Sequence, residues 1–290
     1  MEENIYIYGD LELARKLAGK QIHKILIKKS VKKIFPGDFS GVANPFLNEF
    51  IVEEGHNLFS AVEGVLYNKE GTELIAFPPA LKGEFVIPKS VRIIKKHSFD
   101  SSQLEKIVFN KELEIIEDYA FANTCFNKID LSQTNVSDIK KSAFGGCNVE
   151  NLFLPQEQPV KIHTEAFSFS GLIGLTISKN VESVGMWGFW NCHKLESVTI
   201  ESTDTKFSGD SFCFCRNLKE IISPCERLTK KLWHGVRPSE QEIAKEKDSI
   251  MKFKDGWGKE SIKDGFDEDH WIWLYGKEFT EQLKKKLKIK

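Results

Sequence analysis

Cysteines are the residues of this chain whose type and spacing could most directly do chemistry. Cys213 and Cys215 flank a single residue, and Cys192 precedes them. A structural zinc ion takes four nitrogen or sulfur donors in a tetrahedral array. However, Cys147, Cys192 and Cys215 each follow a phenylalanine by three residues. The same position after other phenylalanines has a hydroxyl side chain, at Ser102, Thr124 and Ser170. A position filled by Ser, Thr or Cys is typical of a small buried packing site, so we predict no metal.

A disulfide between Cys192 and Cys215 is a second possibility. If these residues lie on stacked coils, neighbouring strands are about 4.8 Å apart, and the pair could meet the distance limits of a disulfide. Six cysteines in 290 residues do not form a disulfide-dense framework. We expect both residues to be thiols.

The histidines and glycines show none of the spacings that accompany catalysis. The seven histidines have no close metal-binding spacing, and no HExxH, GxSxG or phosphate-loop pattern occurs. Folding could still bring a cysteine and a histidine together as a dyad. We predict that the protein has no catalytic residues, needs no cofactor and is not an enzyme.

Composition and charge restrict the classes of partner. The formal net charge of -1 gives no reason to propose nucleic acid as a partner, and no apolar run is long enough to span a membrane. The first twenty residues contain Glu2, Glu3, Asp10 and Glu12 and do not resemble a signal peptide. We predict a cytoplasmic monomer from the sequence as it stands, or a cell-surface or secreted protein if a leader has been removed.

The phenylalanines of the central region are strictly periodic. Two apolar series keep a spacing of 22 or 23 residues for more than one hundred residues. They are Phe99, Phe121, Phe144, Phe167, Phe189 and Phe212, and Ile107, Ile129, Leu152, Leu175, Val198 and Ile221. Phe39 has the same aliphatic residues before it, Val31 and Ile34. Leucine-rich repeats have periods of 20–29 residues, and stacked repeats share one core because no single repeat can bury its own apolar residues.

These repeats resemble the BspA-type leucine-rich repeat family. The resemblance is carried by units such as residues 87–107, with Ile87, Pro88 and Phe99, and by the segments 143–147 and 189–195. It implies a right-handed leucine-rich-repeat superhelix with short parallel strands, little helix in the repeats and a cap at each end. It also implies a solenoid that binds proteins or surfaces, often as an adhesin, without catalytic residues.

The chain divides into three regions. We predict an amino-terminal cap over residues 1–24, with a strand at Ile5–Ile7 and a helix from Asp10. Repeats follow over residues 25–224, with a hairpin insert at 53–84. Residues 225–290 form a carboxy-terminal cap or a small helical and aromatic domain, since Pro224 ends the period. Ser239 with Glu242 predicts one helix there, and the segment from Phe279 predicts another.

Triplets such as 107–109, 129–131 and 152–154 are predicted to be the repeat strands, and the middle residue of each triplet is predicted to point to solvent because side chains alternate across a strand. These residues, with the outward residues that precede them, are the candidate binding surface. They are Val86, Val108, Asp130, Phe153, Thr176 and Thr199, with Lys106, Lys128 and Asn151 beside them. Exposed apolar residues in such a row often mark an interface. The alternative is that the hairpin or a capping segment covers them.

Two functions agree with this sequence. The first is a non-enzymatic scaffold that binds a protein partner through the repeat strands. The second is a targeting arm attached to a carboxy-terminal domain that contacts a membrane or has an activity, since Lys284, Lys285 and Lys286 lie near Trp271 and Trp273. Trp187 and Trp190 could form a separate aromatic patch or pack between coils.

Overall fold

The computed structural model describes residues 5–8, 21–34, 37–208, 210–236, 247 and 277–287. The chain divides into two compact units, Met1–Val236 and Arg237–Lys290. The repeats lie in the first unit.

The described residues form short strands and two helices. The strands are β1 (Ile5–Tyr8), β2 (Lys24–Ile27), β3 (Glu49–Val52), β4 (Phe59–Val62), β5 (Val65–Asn68), β6 (Glu73–Ala76), β7 (Glu84–Val86), β8 (Ile93–Ile94), β9 (Lys106–Val108), β10 (Ile115–Ile116), β11 (Lys128–Asp130), β12 (Asp138–Ile139), β13 (Asn151–Phe153), β14 (Val160–Ile162), β15 (Gly174–Ile177), β16 (Val181–Val184), β17 (Ser197–Ile200), β18 (Lys206–Phe207) and β19 (Glu220–Ile222). The helices are α1 (Glu226–Val236) and α2 (Lys277–Leu287).

Each regular coil supplies two strands, and these form two different sides of a solenoid. One side, which we call the strand face, contains β7–β9, β11–β13 and β15–β17–β19. The other side, the second sheet, runs from β18 through the even-numbered strands to β6, and continues into β5 and β4. Parallel pairing joins residues one period apart, such as Ile129 with Leu152 and Leu175 with Val198. The predicted leucine-rich-repeat solenoid of short parallel strands is confirmed.

The periodic phenylalanines stack on one another through the interior. From Phe99 to Phe212, consecutive ring centroids lie 4.7–5.4 Å apart, and the rings from Phe121 onward are within 9° of parallel. Each of these rings is at most 1% exposed. The stack begins one coil earlier than predicted, at Phe77, whose ring lies 4.8 Å from Phe99. Phe77 stands 22 residues before Phe99, so the period itself could have identified it.

Backbone conformation beside each phenylalanine joins the coils on their third side. The residues two before and two after Phe121, Tyr119 and Asn123, have φ values of 55° and 56°. This left-handed conformation lets alternate N–H groups point along the solenoid axis. The N–H groups of Tyr119, Phe121 and Asn123 donate to carbonyls of the next coil at 2.7–2.9 Å. Other coils repeat the arrangement, so backbone bonding on this side is satisfied between coils rather than within them.

The first unit begins with a separate small core. Strands β1, β2 and β3 form a parallel sheet, which confirms the predicted strand at Ile5–Ile7. Phe39 is buried here, but its ring packs edge-on against Phe50 with centroids 4.9 Å apart. It therefore does not join the phenylalanine stack, because the insert occupies the chain between them. The predicted helix from Asp10 lies outside the described residues.

The predicted insert is a meander of three antiparallel strands, β4, β5 and β6. Glu63 and Gly64, with φ values of 50° and 78°, form the turn from β4 to β5. Positive φ at both central residues is typical of a two-residue hairpin turn. At the next turn, the Asn68 Oδ1 atom accepts hydrogen bonds from the N–H groups of Thr72 and Glu73.

The later coils absorb two departures from the repeat pattern. Where Pro159 replaces an aliphatic residue, Val160 becomes buried and the pairing of β14 with β16 shifts by one residue. In the last coil, Phe207 takes the inward place of an aliphatic residue and is 7% exposed. Beyond Pro224, α1 buries Leu232 and Val236 in the same core cluster as the repeats.

The second unit contains α2, which agrees with the helix predicted from Phe279. The Lys247 ammonium lies 5.4 Å from the Phe279 ring centroid. The remainder of the helix predicted from Ser239 and the aromatic run at 270–275 lie outside the described residues. Among the described residues, no helix is both long enough and apolar enough to span a membrane.

The stacked rings give a direct prediction for stability. Phe121→Ala and Phe167→Ala should each lower the free energy of unfolding by about 3–5 kcal/mol, because each leaves a cavity in a close-packed core. Phe153→Ala, an exposed ring in the same coils, should cost less than about 1 kcal/mol. Urea unfolding of the three full-length variants measures the difference. A loss below about 1 kcal/mol at Phe121 would contradict its structural role.

Candidate functional site

The strand face presents the row of side chains that the sequence predicts to point outward. Strands β9, β11 and β13 begin one residue before the predicted triplets, so their central residue is the buried one and both of its neighbours are exposed. Most of the candidate residues are exposed, namely Val86, Val108, Asp130, Phe153 and Thr176, while Thr199 is half-buried. The adjacent residues Lys106, Lys128 and Asn151 are also exposed. The structure thus places the candidate residues on one surface, and their role in binding stays a prediction.

Phe153 is the largest apolar side chain of this surface and is 46% exposed. It is in register with Asp130 of the preceding coil. The Lys128 ammonium lies 5.0 Å from the centroid of the Phe153 ring and 3.1 Å from the Asp130 carboxylate. A lysine over an aromatic face is attracted by the ring quadrupole. The three side chains therefore form a charged and aromatic cluster at the middle of the strand face.

Asp130 is held in its ionised form. Partial burial acts to raise the pKa of its carboxyl group. Hydrogen bonds from the Ser132 hydroxyl at 2.7 Å and from Lys128 outweigh this effect, so the pKa is lowered from its ordinary value. A charged carboxylate thus lies beside Phe153 at neutral pH.

Apolar residues extend this surface in both directions from Phe153. Val86 is 59% exposed and Val108 is 36% exposed, so neither is covered by the insert. Ile222, in β19, continues the row at the other end and is 50% exposed. Sequence reasoning missed Ile222, although it stands 23 residues after Thr199 and follows the same alternation. The row therefore ends as it begins, with an exposed aliphatic side chain.

The strand face is interrupted between β9 and β11. Strand β9 pairs with β7 and strand β11 pairs with β13, and among the described strands no ladder joins β9 to β11. Phe109 and Phe126 both contact the Phe121 ring here, with centroids 5.7 and 5.9 Å away. Smaller side chains occupy the equivalent positions in adjacent coils: Leu131 stands one period after Phe109, and Leu104 stands one period before Phe126. Among the described strands, the strand face is likewise unpaired between β13 and β15.

A surface depression of about 410 Å³ lies at this interruption. Its walls include Lys106 and Val108 on one side and Lys128 and Asp130 on the other, with Phe109 beneath. The candidate surface is therefore not flat, and a partner side chain could enter it beside the charged cluster.

A second aromatic surface lies on the third side of the solenoid. The Trp190 ring centroid is 4.6 Å from that of Phe169, 5.9 Å from Trp187 and 6.1 Å from Phe214. Phe169, Trp187 and Phe214 have φ values of 55°, 56° and 63°, a conformation that is uncommon for bulky residues. The sequence left open whether Trp187 and Trp190 form an aromatic patch or pack between coils. Both descriptions apply, because the two rings are neighbours and Trp190 also contacts rings of the adjacent coils.

The predicted small packing position is buried along the whole stack. Ser102, Thr124, Cys147, Ser170, Cys192 and Cys215 are all buried. The Thr124 hydroxyl lies 3.0 Å from the Cys147 sulfur, and the Ser170 hydroxyl lies 3.0 Å from the Cys192 sulfur. None of the six cysteines forms a disulfide. Burial raises the pKa of Cys147 to about 12 and raises that of Cys215 well above its ordinary value.

The described residues contain no group of three or more histidine, cysteine, aspartate or glutamate side chains that could hold a metal ion. A polar cluster lies on the second sheet. There, Asp138 accepts a hydrogen bond from Lys140 at 2.7 Å and lies 2.9 Å from His163 Nε2. Burial acts to raise the Asp138 pKa, but these contacts outweigh it and lower the pKa to about 2. This cluster is an ion pair within one coil, Asp138 with Lys140, which a His163 contact joins to the next coil.

The comparisons with known proteins identify the family. The family model of the BspA type leucine-rich repeat region matches residues 76–157 and 137–231, in six copies. These residues are more than half of the chain. The chain belongs to the BspA-type leucine-rich repeat family, and the resemblance derived from its sequence is confirmed.

Solved structures share this fold at low sequence identity. A leucine-rich repeat protein from Eubacterium ventriosum is 22% identical to this chain with a TM-score of 0.50, and the alignment covers 70% of this chain and 49% of that protein. The pneumococcal vaccine antigen PcpA is 23% identical to this chain with a TM-score of 0.52, and the alignment covers 74% of this chain and 54% of the antigen. This chain therefore spans about half the length of these structures. A search of curated proteins gives no match.

The buried thiols predict a pattern of chemical labelling. In the folded protein, iodoacetamide should modify the exposed Cys125 first and leave Cys147, Cys192 and Cys215 unmodified, because these three side chains are 0% exposed and the reagent cannot reach their sulfur atoms. In urea without reductant, all six cysteines should react. Mass spectrometry of the labelled peptides reads both results. A Cys192–Cys215 pair that stays unmodified in urea would show a disulfide and contradict the thiol assignment.

The Asp138 network predicts a dependence of stability on pH. Because the Asp138 pKa is lowered in the folded state, the ionised carboxylate stabilises the protein at pH values above its ordinary pKa of 3.8. This contribution is lost as the pH falls toward 2. Asp138→Asn should therefore cost about 1 kcal/mol at pH 6, after allowance for solvent screening, and nearly nothing at pH 2. Urea midpoints of both proteins at a series of pH values measure this difference. A difference that does not change with pH would contradict the assigned network.

Proposed function

We propose that the protein is a non-enzymatic scaffold that binds a protein partner through its strand face. The observation that carries this proposal is the row of exposed apolar side chains, Val86, Val108, Phe153 and Ile222, on a solenoid whose other periodic apolar positions are buried. Repeat proteins bind through extended surfaces of this kind. Membership of a leucine-rich repeat family supports the same function.

The chemistry of the strand face indicates what its partner presents. Phe153 offers an aromatic anchor, and burial of apolar surface contributes roughly 25 cal/mol per Å². The ion pairs around it, Lys128 with Asp130 and Lys106 with Glu84, already satisfy one another at 3.1 and 2.7 Å. Such rim charges add little affinity and mainly select among partners. The partner is therefore expected to place an apolar side chain on Phe153 or in the depression beside it.

The second candidate function assigns the repeats to targeting and the carboxy-terminal residues to an activity. It is favoured by the division of the chain at Arg237, where a second compact unit begins. The basic last turn of α2, with Lys284, Lys285 and Lys286, would contact an anionic membrane surface. A purified fragment of residues 237–290 tests this function. A folded fragment that binds anionic vesicles supports it, and an unfolded or non-binding fragment counts against it.

Site-specific photocrosslinking tests the first proposal. A benzophenone amino acid is placed at Phe153 in one full-length variant and at Val42 in another. Val42 is a suitable control because it is 80% exposed and apolar but lies outside the strand face. Cross-linking in the native source, followed by mass spectrometry, should yield one dominant protein from position 153 only.

Affinity measurements with that captured protein complete the test. Phe153→Asp should weaken binding by at least about 30-fold, the effect of losing a central aromatic anchor worth about 2 kcal/mol. Val42→Asp makes the same chemical change elsewhere and should alter the affinity less than about twofold. Unchanged binding by a folded Phe153→Asp protein would remove the strand face as the interface.

A further inference from the structure

Strand β3 is the last strand of the amino-terminal parallel sheet, and it has an edge that faces away from β2. The sheet has the order β1–β2–β3, and among the described strands no ladder joins β3 to β7. The N–H groups of Glu49 and Glu53 donate to carbonyls on the β2 side at 3.2 and 2.9 Å. Because backbone groups alternate in direction along a strand, Phe50 and Val52 present theirs to the opposite edge.

The insert uses only part of this opposite edge. The Phe50 N–H group donates to the Gly64 carbonyl, in the turn from β4 to β5, at 2.8 Å. Among the described residues outside β2, no carbonyl accepts from the Val52 N–H group, and no N–H group donates to the carbonyl of Phe50 or Val52. One donor and two acceptors on this edge therefore remain available. Such an edge is a template for pairing with another chain.

An open cavity of about 600 Å³ runs along this edge. The consecutive residues 48–52 form one wall, and Ala61, Glu63, Gly64 and Leu81 form the other. Side chains alternate across a strand, so a cavity above one face of β3 would meet every second residue. This cavity meets all of them, so it follows the backbone edge. The four residues of β3 span about 13 Å at roughly 3.3 Å per residue, which suits an extended peptide of similar length.

The charge of the cavity favours a basic peptide. Its described lining contains two carboxylates, Glu49 and Glu63, and no lysine, arginine or histidine. The Glu49 carboxylate lies 3.2 Å from the Lys24 ammonium, which offsets its charge. Glu63 is exposed, and no cationic side chain among the described residues lies within 4 Å of its carboxylate. The uncompensated charge at the cavity is therefore the negative charge of Glu63.

We propose that the free edge of β3 binds an extended basic segment of a partner protein, which adds to the sheet as a fourth strand. The backbone of the segment pairs with Val52 N–H and with the Phe50 and Val52 carbonyls, as in other complexes formed by strand addition. A lysine or arginine of the segment lies beside Glu63. Ile51 is half-buried on the face opposite the buried Phe50, and favours a β-branched neighbour on the added strand. This site lies outside the strand face and does not depend on the function proposed for it.

A display library of random seven-residue peptides, selected on the full-length protein, tests the site. The enriched peptides should contain lysine or arginine among β-branched residues and should lack proline. Amide hydrogen exchange of the protein is then followed with the most enriched peptide, synthesised with capped ends. The Val52 amide should become protected because its N–H group gains an acceptor, while the exposed turn residue Lys89 should exchange as before.

Methylation of single backbone nitrogens in that peptide distinguishes strand addition from other modes of binding. Methyl groups on the nitrogens that face β3 should weaken binding about fivefold to tenfold, since each removes a hydrogen bond. Methyl groups on the alternate nitrogens should change the affinity less than about twofold. The expected pattern therefore has a period of two residues. It requires no change to the protein, so it stands even if a variant fails to fold.

Three variants of the protein complete the test. Val52→Pro removes the free donor at an edge position where proline is tolerated, and should abolish the protection and the selection of these peptides. Glu63→Gln should weaken the lysine-containing peptide about threefold to fivefold and leave its glutamine analogue unchanged. Glu54→Gln removes the same charge from an exposed residue outside the cavity lining, and should change neither affinity.

Four results would overturn the proposal. The first is that no library peptide protects the Val52 amide. The second is that methyl groups at successive peptide nitrogens have equal effects, and the third is that Glu63→Gln and Glu54→Gln weaken binding equally. The fourth is a concentration-dependent dimer that protects the Val52 amide without peptide, which would assign this edge to a second copy of the chain.

Discussion

The structure depends on the stacking of one phenylalanine per coil on the phenylalanine of the next. A single coil of 22 or 23 residues cannot bury its own apolar side chains, so each ring is covered by the coils before and after it. The ring-to-ring distances of 4.7–5.4 Å set the rise of the solenoid on this side. Strand spacing of about 4.8 Å sets it on the other two sides. The agreement of the two spacings lets rings and strands stack in register over many coils.

This shared core also explains where binding surfaces can occur. Because the interior is filled at each coil, the exposed apolar residues in the described part of the chain lie at outward strand positions and in turns. The strand face has a depression where Phe109 and Phe126 pack on Phe121 and no ladder joins β9 to β11 among the described strands.

The sequence predicts the regular part of this arrangement and misses its departures. The period identified the stacked rings, the repeat strands, the buried Cys and Ser positions and the outward direction of residues such as Phe153. It did not identify the gaps in strand pairing between β9 and β11 and between β13 and β15, because residue spacing does not specify which neighbouring backbones come close enough to form a ladder. Phe39 illustrates the limit, since its local pattern matches the repeats while its ring packs against Phe50.

Native-state hydrogen exchange tests the shared core most directly. The N–H groups of Phe99, Phe121, Phe144 and Phe167 each donate to a carbonyl of the following coil at 2.7–2.8 Å. If the coils are stabilised by their neighbours, these four amides should exchange slowly and at similar rates. The free energies of opening calculated from those rates should approach the free energy of global unfolding. Fast exchange at these amides, comparable to that of exposed turn residues such as Lys89, would show that the coils do not form one continuous core.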